Sequence, residues 1–213
     1  MVKLSGRYHP RMSSQGGQRQ YHHGDLRAAA VAAAVIEVQE VGISAASMRR
    51  IASRAGVTHA ALAHHFADKT GLFTAVAAEG FRRMAAAIGP AAGSDRGFVF
   101  GGAEYVRFAL ENPGFYEVLF RPSLCDQNDP DLKQARTEAF DILYGSARRS
   151  LTSASDSEAI TEDDVASLAI AGWSMSHGYA TLLATGNFAD RPAGDIFHGV
   201  ELLASLLTSA SHG

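Results

Sequence analysis

Residues 47–66 have the sequence Ser-Met-Arg-Arg-Ile-Ala-Ser-Arg-Ala-Gly-Val-Thr-His-Ala-Ala-Leu-Ala-His-His-Phe. Ser47 and Thr58 are residue types that cap the start of a helix, and Gly56 is the type best able to take a left-handed turn after one. The stretch therefore predicts two short helices, over about 47–55 and 58–66, that meet across a tight turn.

The two helices have the side chains needed to cross closely. Ala52 leaves room at the turn, and Ile51, Val57 and Leu62 provide a small shared core. Any compact helical hairpin can show this pattern. It also meets the geometric needs of a helix-turn-helix, whose second helix presents its outer face to the major groove of DNA.

The charge of the chain is divided unevenly. Residues 1–70 hold nine Lys and Arg against four Asp and Glu, a net of +5, and the rest of the chain has a net of −8. A basic N-terminal third favours contact with a polyanion, because Lys and Arg that neutralise phosphates drive nucleic-acid affinity. A solvated basic tail would give the same charge pattern, and residues 1–20 are predicted to be a flexible basic arm.

Composition restricts the class of protein. A chain of 213 residues permits one large domain or two small ones, and 46% hydrophobic with 19% charged residues is typical of ordinary globular proteins. The single Cys125 excludes an internal disulfide and suits a reducing compartment. The longest apolar run, residues 28–36, is far shorter than the roughly 20 residues of a membrane-spanning helix. We therefore expect a cytoplasmic protein with no membrane partner.

Apolar residues at intervals of three and four, together with helix caps and stops, predict an all-α chain without strands. Beyond the first two, the predicted helices lie at about 24–42, 68–88, 97–111, 114–120, 130–152, 161–183 and 192–208. In the helix at 24–42, Glu37 lies off the apolar face. Asp68 and Asp129 are predicted caps, and Thr161 with Asp164 resembles a capping box. Pro90 is predicted to follow the end of the helix at 68–88.

A run of matches to a known family extends over about residues 21–75. It comprises Tyr21-His-His-Gly-Asp-Leu-Arg27, Gly42, residues 47–58, Ala61-Leu62, His64-His65-Phe66 and Lys69 to Phe73. With these residues the sequence resembles the TetR/AcrR family of transcriptional regulators. The resemblance implies an all-α homodimer with a helix-turn-helix DNA-binding domain at 21–70. It also implies a helical effector-binding and dimerisation domain at 71–213.

The resemblance implies roles in DNA binding for eight residues. Thr58, His59 and Ala60 would meet base edges at the start of the recognition helix, where His59 can hydrogen-bond a base and Ala60 can touch a thymine methyl. Phosphates would be held by Ser47, Arg49, His64 and Lys69. The eighth, Ala63, is a departure: it stands where the family commonly has a tyrosine that contacts phosphate, so this contact is removed.

The segment Gly172-Trp173-Ser-Met-Ser-His177-Gly178 resembles the Trp-then-His-Gly signature of one group of TetR C-terminal domains. Trp173 and His177 are four residues apart, so they would share a helix face and place an aromatic wall and a titratable group in a pocket. Ordinary core positions would explain them equally. The predicted ligand-binding residues are Tyr105, Phe108, Phe115, Tyr116, Phe120, Phe140, Tyr144, Trp173 and His177.

Two further features concern packing. Gly172 and Gly178 are expected to permit close approach of neighbouring helices. In the last predicted helix, Ile196, Val200, Leu203 and Leu207 form an apolar stripe at intervals of four, three and four. With the preceding helix this stripe would form a four-helix dimer interface.

Other chemistry has weak support in the sequence. The nine histidines include two adjacent pairs whose side chains diverge on a helix, and no HExxH occurs, so no metal site is predicted. Cys125 stands beside Asp126, which opposes thiolate formation, and is predicted to be structural. No phosphate-cradling loop or nucleophile elbow is present. We expect no cofactor and no catalytic residue.

Together with these patterns, the resemblance implies a ligand-responsive transcriptional regulator, a repressor that a small-molecule effector releases from a palindromic operator. The helix at 68–88 would connect the two domains. One alternative is a module that binds DNA without sequence preference or senses a small molecule, which Ala60 and Ala63 would favour. Another is an all-α enzyme that uses His177 in its cavity.

Overall fold

The computed structural model describes residues 23–94, 96–154 and 160–187, together with residues 198, 199 and 202. This part of the chain is all-helical, as predicted. Its helices are α1 (His23–Val41), α2 (Met48–Arg54), α3 (His59–Phe66), α4 (Lys69–Ala92), α5 (Gly97–Glu111), α6 (Pro113–Leu119), α7 (Pro130–Ala154) and α8 (Glu162–Ala184). A short 3₁₀ turn, Pro122–Leu124, was not predicted. Within these residues no helix has the length and apolar content to cross a membrane.

Side-chain caps determine where five of these helices begin. An oxygen atom of each cap residue accepts a hydrogen bond from a backbone N–H in the first turn, at 2.9–3.3 Å. These residues are Ser47, Thr58, Asp68, Asp129 and Thr161. Asp164 completes the capping box of α8. All these predicted caps are confirmed, because a cap depends on residues only three positions apart.

The turn between α2 and α3 has the predicted form. Ile51 and Leu62 are fully buried, and Ala52 is 2% exposed. Gly56 adopts a φ of 70°, a conformation that glycine reaches without a steric penalty, and the Val57 N–H donates to the Ala52 carbonyl at 3.0 Å. The two helices therefore share the small core that a helix-turn-helix requires.

The predicted end of α4 was wrong. The helix continues beyond Ile88, includes Pro90 and ends at Ala92. Pro90 lies in the last turn and is exposed, so the chain loses only one backbone hydrogen bond there. Ala92, two residues later, is 1% exposed and anchors the end of the helix in the core.

The burial of Glu37 was not predicted. Its side chain is 2% exposed, because α1 packs against α2, α3, α4 and α6 and has more than one buried face. Glu37 Oε1 lies 2.5 Å from Arg50 Nε, and Oε2 lies 3.7 Å from an Arg54 nitrogen. The Arg50 contact lacks the geometry of a hydrogen bond and is an ion pair. These pairs join α1 to α2.

A continuous apolar core runs from the first three helices into the following ones. It includes Ile51 and Leu62 near one end and Val106 and Val118 near the other. The helix α4 packs against α5, α6 and α7, and α8 packs against α5 and α7. A smaller cluster of Phe98, Ala147, Val165 and Ala169 lies among α5, α7 and α8.

Candidate functional site

The first candidate surface is the outer face of α3. Thr58, His59, Ala60 and His64 are exposed, whereas Leu62 and Phe66 on the opposite side of the helix are buried. Ala63 is half-buried. The residues predicted to reach base edges thus lie together at the start of α3, on the side that faces away from the core.

The predicted phosphate-binding residues surround this surface. Arg49 is exposed, and Ser47 is half-buried as the cap of α2. The Ser47 and Thr58 oxygens accept from backbone N–H groups, so the proton of each hydroxyl is still available for an anion. Lys69 is half-buried, and its Nζ donates to the Ile43 carbonyl at 3.1 Å. An ammonium has three protons, and two remain for other acceptors.

A tight turn orients α3 against α4. The Asp68 N–H donates to the Phe66 carbonyl at 2.8 Å across Ala67, which has a φ of 62° and a ψ of −61°. This is the rarer, positive-φ form of the γ-turn, which is strained for a residue with a side chain. The start of α4 is therefore fixed closely to the end of α3.

The second candidate site is a cavity of about 410 Å³ among α4, α6, α7 and α8. Most of its wall is aliphatic or aromatic. The lining residues are Ala77, Phe81, Leu119, Phe120, Pro122, Cys125, Gln127, Leu132, Arg136, Phe140, Trp173, Ser174 and His177. Its size and its small number of polar groups suit a small organic molecule.

Four of the nine predicted ligand-binding residues line this cavity: Phe120, Phe140, Trp173 and His177. The structure does not bring the other five to its wall. Tyr105 and Tyr116 contact His177 from other helices, and Phe108 is a core residue that is 4% exposed. Phe115 lies in a separate groove beside α1, and Tyr144 packs against the smaller cluster. Helical spacing does not distinguish a cavity wall from a filled core, which is why these residues were grouped together.

His177 is held by two tyrosines. The hydroxyls of Tyr105 and Tyr116 lie 2.8 and 2.9 Å from its Nδ1, and Trp173 Nε1 donates to the Tyr105 oxygen at 3.3 Å. Burial raises the pKa of Tyr105 well above its ordinary value, and burial lowers the pKa of His177. The contacts are satisfied when Tyr105 donates to Nδ1 and the ring proton is on Nε2. A neutral imidazole then offers an N–H donor to the cavity.

Arg136 was missed by sequence reasoning. It stands four residues after Leu132 and four before Phe140 on α7, so all three share the face that lines the cavity. That spacing was the signal that could have identified it. One Arg136 guanidinium nitrogen donates to Gln127 Oε1 at 2.7 Å, and Gln127 Nε2 in turn donates to the Pro122 carbonyl at 3.0 Å. A loop side chain therefore holds the guanidinium at the wall.

Asp131 links the region beside the cavity to α1. One of its carboxylate oxygens accepts from Arg27 of α1 at 2.9 Å, and the other accepts from Arg82 of α4. Asp131 stands next to Leu132, which lines the cavity. The start of α7 thus contacts both the cavity and the first helix of the chain.

Gly172 and Gly178 were both predicted to permit close helix packing, and within the part of the chain that the structure describes such packing is seen only at Gly172. A Cβ on Gly172 would stand 2.3 Å from the Phe98 ring, so glycine allows α8 to approach α5 closely, as predicted. At Gly178 a Cβ would meet no atom of the described residues within 4 Å, so no packing among those residues requires that glycine. The stripe at Ile196, Val200, Leu203 and Leu207 lies outside the described residues, as does the arm at 1–20.

Cys125 has the surroundings of a structural thiol. It is buried, its Sγ donates to the Phe73 carbonyl at 3.5 Å, and burial raises its pKa to about 11. Among the described residues, His, Cys, Asp and Glu side chains form no group of three or more that could hold a metal ion.

Comparisons with known proteins agree on one family. Residues 30–76 match the family described as bacterial regulatory proteins, tetR family, and residues 101–207 match the tetracyclin repressor-like C-terminal domain. The HTH-type transcriptional repressor AcnR of Corynebacterium efficiens is 30% identical over 151 residues, which span 69% of this chain and 76% of that protein.

Solved structures share the fold. A protein of unknown function from Rhodococcus sp. RHA1 superposes with a TM-score of 0.73 at 25% identity, over 91% of this chain and 98% of its own. A possible TetR family transcriptional regulator from Streptomyces coelicolor A3(2) gives a TM-score of 0.55 at 21% identity, over 79% of this chain and 75% of its own.

Proposed function

Because the chain belongs to the TetR family of bacterial transcriptional regulators, we propose that it is a repressor that a small-molecule effector releases from a palindromic operator. It is a DNA-binding regulator, and members of this family are transcription factors rather than enzymes. AcnR is named as a transcriptional repressor, and the proposal extends repression from that protein to this chain. The proposal includes a homodimer that acts in the cytoplasm, with DNA binding by residues 21–70 and effector binding and dimerisation by residues 71–213.

The observation that carries this function is the exposed face of α3. Thr58, His59 and Ala60 point away from the core at the start of the helix, where side chains of recognition helices reach base edges. The neighbouring Arg49 and His64 are exposed and suit contacts with phosphates. Ala63 offers no hydrogen bond.

The cavity supports control by a ligand. Its wall includes Leu132, whose neighbour Asp131 is paired with Arg27 of α1 and Arg82 of α4. A ligand that moves the start of α7 therefore acts on the helix against which α2 and α3 pack. If the effector binds the state that cannot bind DNA a hundredfold better, operator affinity falls by up to that factor, or about 2.7 kcal/mol.

The C-terminal half fits the group with the Trp-then-His-Gly signature in one respect. Trp173 and His177 both line the cavity, as that resemblance implies. Their contacts with Tyr105 and Phe120 join three helices around one wall. We include this group in the proposal for the effector site.

The test of operator binding uses fragments of the source genome. The purified full chain is incubated with them at about 150 mM salt, and the bound fragments are recovered and sequenced. Enrichment of a two-fold symmetric site is the expected result. Uniform recovery of all fragments would instead indicate binding without sequence preference, and recovery of none would contradict the proposal.

Two variants separate base contacts from phosphate contacts on the enriched site. His59→Ala should mainly relax sequence preference, whereas Lys69→Ala should weaken binding to all sequences similarly and reduce the salt slope by about one. Lys133→Ala is the matched control, because Lys133 is an exposed lysine on α7. Equal losses on every sequence for His59→Ala and Lys69→Ala would show that this division is wrong.

A further inference from the structure

Arg136 is the only residue with a formal charge among those that line the cavity, within the part of the chain that the structure describes. Its one hydrogen bond there goes to the neutral amide oxygen of Gln127, and it has no carboxylate partner there. A guanidinium has five N–H donors, so four remain unused by this contact. Arg136 is half-buried at this wall, and a bound anion would form charge-assisted hydrogen bonds with the unused donors.

The rest of the wall limits what kind of anion fits. Phe81, Phe120, Phe140 and Trp173 provide apolar surface, and Phe140 and Trp173 meet edge to face with ring centroids 5.3 Å apart. A small hydrophilic polyanion would leave its second charge against this surface without a partner. A cation would be repelled by Arg136. The wall therefore suits one negative charge on an apolar body.

His177 adds a second polar contact that points to the same class. Its Nδ1 accepts the Tyr105 hydroxyl proton in the form assigned above, and the Tyr116 hydroxyl beside it can donate to the His177 carbonyl or to Thr181 Oγ1. Nε2 is therefore the ring nitrogen that is left for a ligand. In the neutral form assigned above, Nε2 is a donor and needs an acceptor atom such as a carboxylate or carbonyl oxygen.

We propose that the effector is an amphipathic organic monoanion whose carboxylate binds Arg136 and whose apolar body lies among Phe81, Phe120, Phe140 and Trp173. This inference rests on the proposed function, since it names the chemical class of ligand for the effector site. Gln127 positions the guanidinium, and His177 donates to a second oxygen.

The test uses two probe series on the full chain. Octanoate and 3-phenylpropionate represent an aliphatic and an aromatic acid, and octan-1-ol and 3-phenylpropan-1-ol are their uncharged counterparts. Octylammonium and succinate represent a cation and a hydrophilic dianion. Trp173 is the single tryptophan of the chain and lines the cavity, so its fluorescence reports binding there, and calorimetry gives the dissociation constants.

The acids should bind about ten- to a hundredfold more tightly than the matched alcohols, as expected for hydrogen bonds to a charged group. Which of the two acids binds better distinguishes an aliphatic from an aromatic body. Arg136→Gln should remove the preference for the acid and leave alcohol binding nearly unchanged, and Arg136→Lys should restore part of it. Lys133→Gln makes the same charge change outside the cavity on α7 and should have no effect.

The proposal is overturned if acids and alcohols bind equally, if neither acid binds, if octylammonium or succinate binds most tightly, or if Arg136→Gln keeps the preference. Operator binding is measured separately on the same samples. A chain that binds its operator but prefers no acid contradicts the ligand class alone. A chain that binds the acid but keeps full operator affinity supports the ligand class and contradicts release by the effector.

Discussion

His177 is a neutral residue at the wall of the cavity, and this state has a consequence for stability. Burial lowers its pKa below the ordinary 6.5, so as pH falls the unfolded chain takes up the proton before the folded chain does. The contribution of His177 to the free energy of unfolding is therefore unfavourable below about pH 6.5 and disappears above that pH. We expect the free energy of unfolding to fall between pH 7.5 and 5.5, and to fall less in His177→Gln.

Urea unfolding at the two pH values measures this difference. The chain has nine histidines, and the others also contribute to the pH dependence. The informative quantity is therefore the change in unfolding free energy between the two pH values in the wild type minus the same change in His177→Gln. His59→Gln, at an exposed histidine on α3, is the control for loss of an imidazole. Equal pH slopes for wild type and His177→Gln would contradict the role assigned to burial.

Ala67 holds a backbone conformation that suits glycine better than alanine. Its positive φ and negative ψ cost about 1–3 kcal/mol in a residue with a Cβ, whereas glycine in the unfolded chain costs about 0.5–1 kcal/mol in entropy. Ala67→Gly should therefore raise the free energy of unfolding by up to about 2 kcal/mol, or several degrees in Tm.

Thermal unfolding compared with Ala87→Gly checks this prediction. Ala87 is exposed within α4, where glycine should lower the stability by about 1 kcal/mol. We expect Tm to rise in Ala67→Gly and to fall in Ala87→Gly. If Ala67→Gly lowered Tm as much as Ala87→Gly does, the backbone strain assigned to Ala67 would be contradicted.

Residue roles that depend on near neighbours in sequence were predicted well. The caps at Ser47, Thr58 and Asp68 each need only a donor three residues later. The place of Arg136 at the cavity depends on Gln127 and on three other helices. Its spacing to Leu132 and Phe140 puts it on one face of α7, but nothing local in the sequence shows that this face lines a cavity. For the same reason, the sequence does not show which of the predicted aromatic residues line the cavity and which fill the core.

At the scale of elements, α1 and α2 are joined by a buried carboxylate. Glu37 is 2% exposed and its partners Arg50 and Arg54 are 51% and 32% exposed, so the arginines keep much of their hydration when the pair is broken. Glu37→Gln should therefore lower the free energy of unfolding by about 1–2 kcal/mol, less than for a pair with both partners buried.

Urea unfolding of this variant is compared with Glu40→Gln. Glu40 pairs with Arg54 but is 53% exposed, and such a surface pair contributes less than about 1 kcal/mol. The two carboxylates lie on one helix and share a partner, so burial is the main difference between them. An equal loss of stability in both variants would show that the burial of Glu37 has no energetic role.

Within the described residues, the order and type of the α-helices were predictable from the sequence. The 3₁₀ turn at Pro122–Leu124, the burial of Glu37 and the end of α4 were not. Periodicity placed Glu37 off the apolar face and did not indicate its burial, because it assumes one buried side, whereas α1 packs on several. Pro90 was treated as a stop because proline is unfavourable inside helices, yet the burial of Ala92 keeps the last turn of α4 intact. In both cases tertiary packing overrides a local preference.

At the scale of the whole molecule, the Asp131 ion pairs connect the two halves of the chain. Asp131→Asn removes the charge that holds Arg27 of α1 and Arg82 of α4 at the start of α7. These side chains are partly exposed, so the stability should fall by less than about 1 kcal/mol. The factor by which an effector weakens operator binding should fall toward one.

Operator affinity with and without the tightest-binding acid of the probe series measures this factor. Asp141→Asn, at an exposed aspartate on the same helix, is the control and should keep the wild-type factor. Unchanged effector binding in Asp131→Asn is part of the expected result. If the effector weakens operator binding as much in Asp131→Asn as in the wild type, the two halves communicate through other contacts.

The length of α4 has a further geometrical consequence. A straight helix of 24 residues spans about 36 Å, and this one reaches from the γ-turn behind α3 to the far end of the bundle. A tilt of about 5° around one end moves the other by about 3 Å, close to the 3.4 Å rise of one base step. A tilt this small in the proposed effector-binding half would shift the proposed recognition helix α3 by about one base step without unfolding any helix.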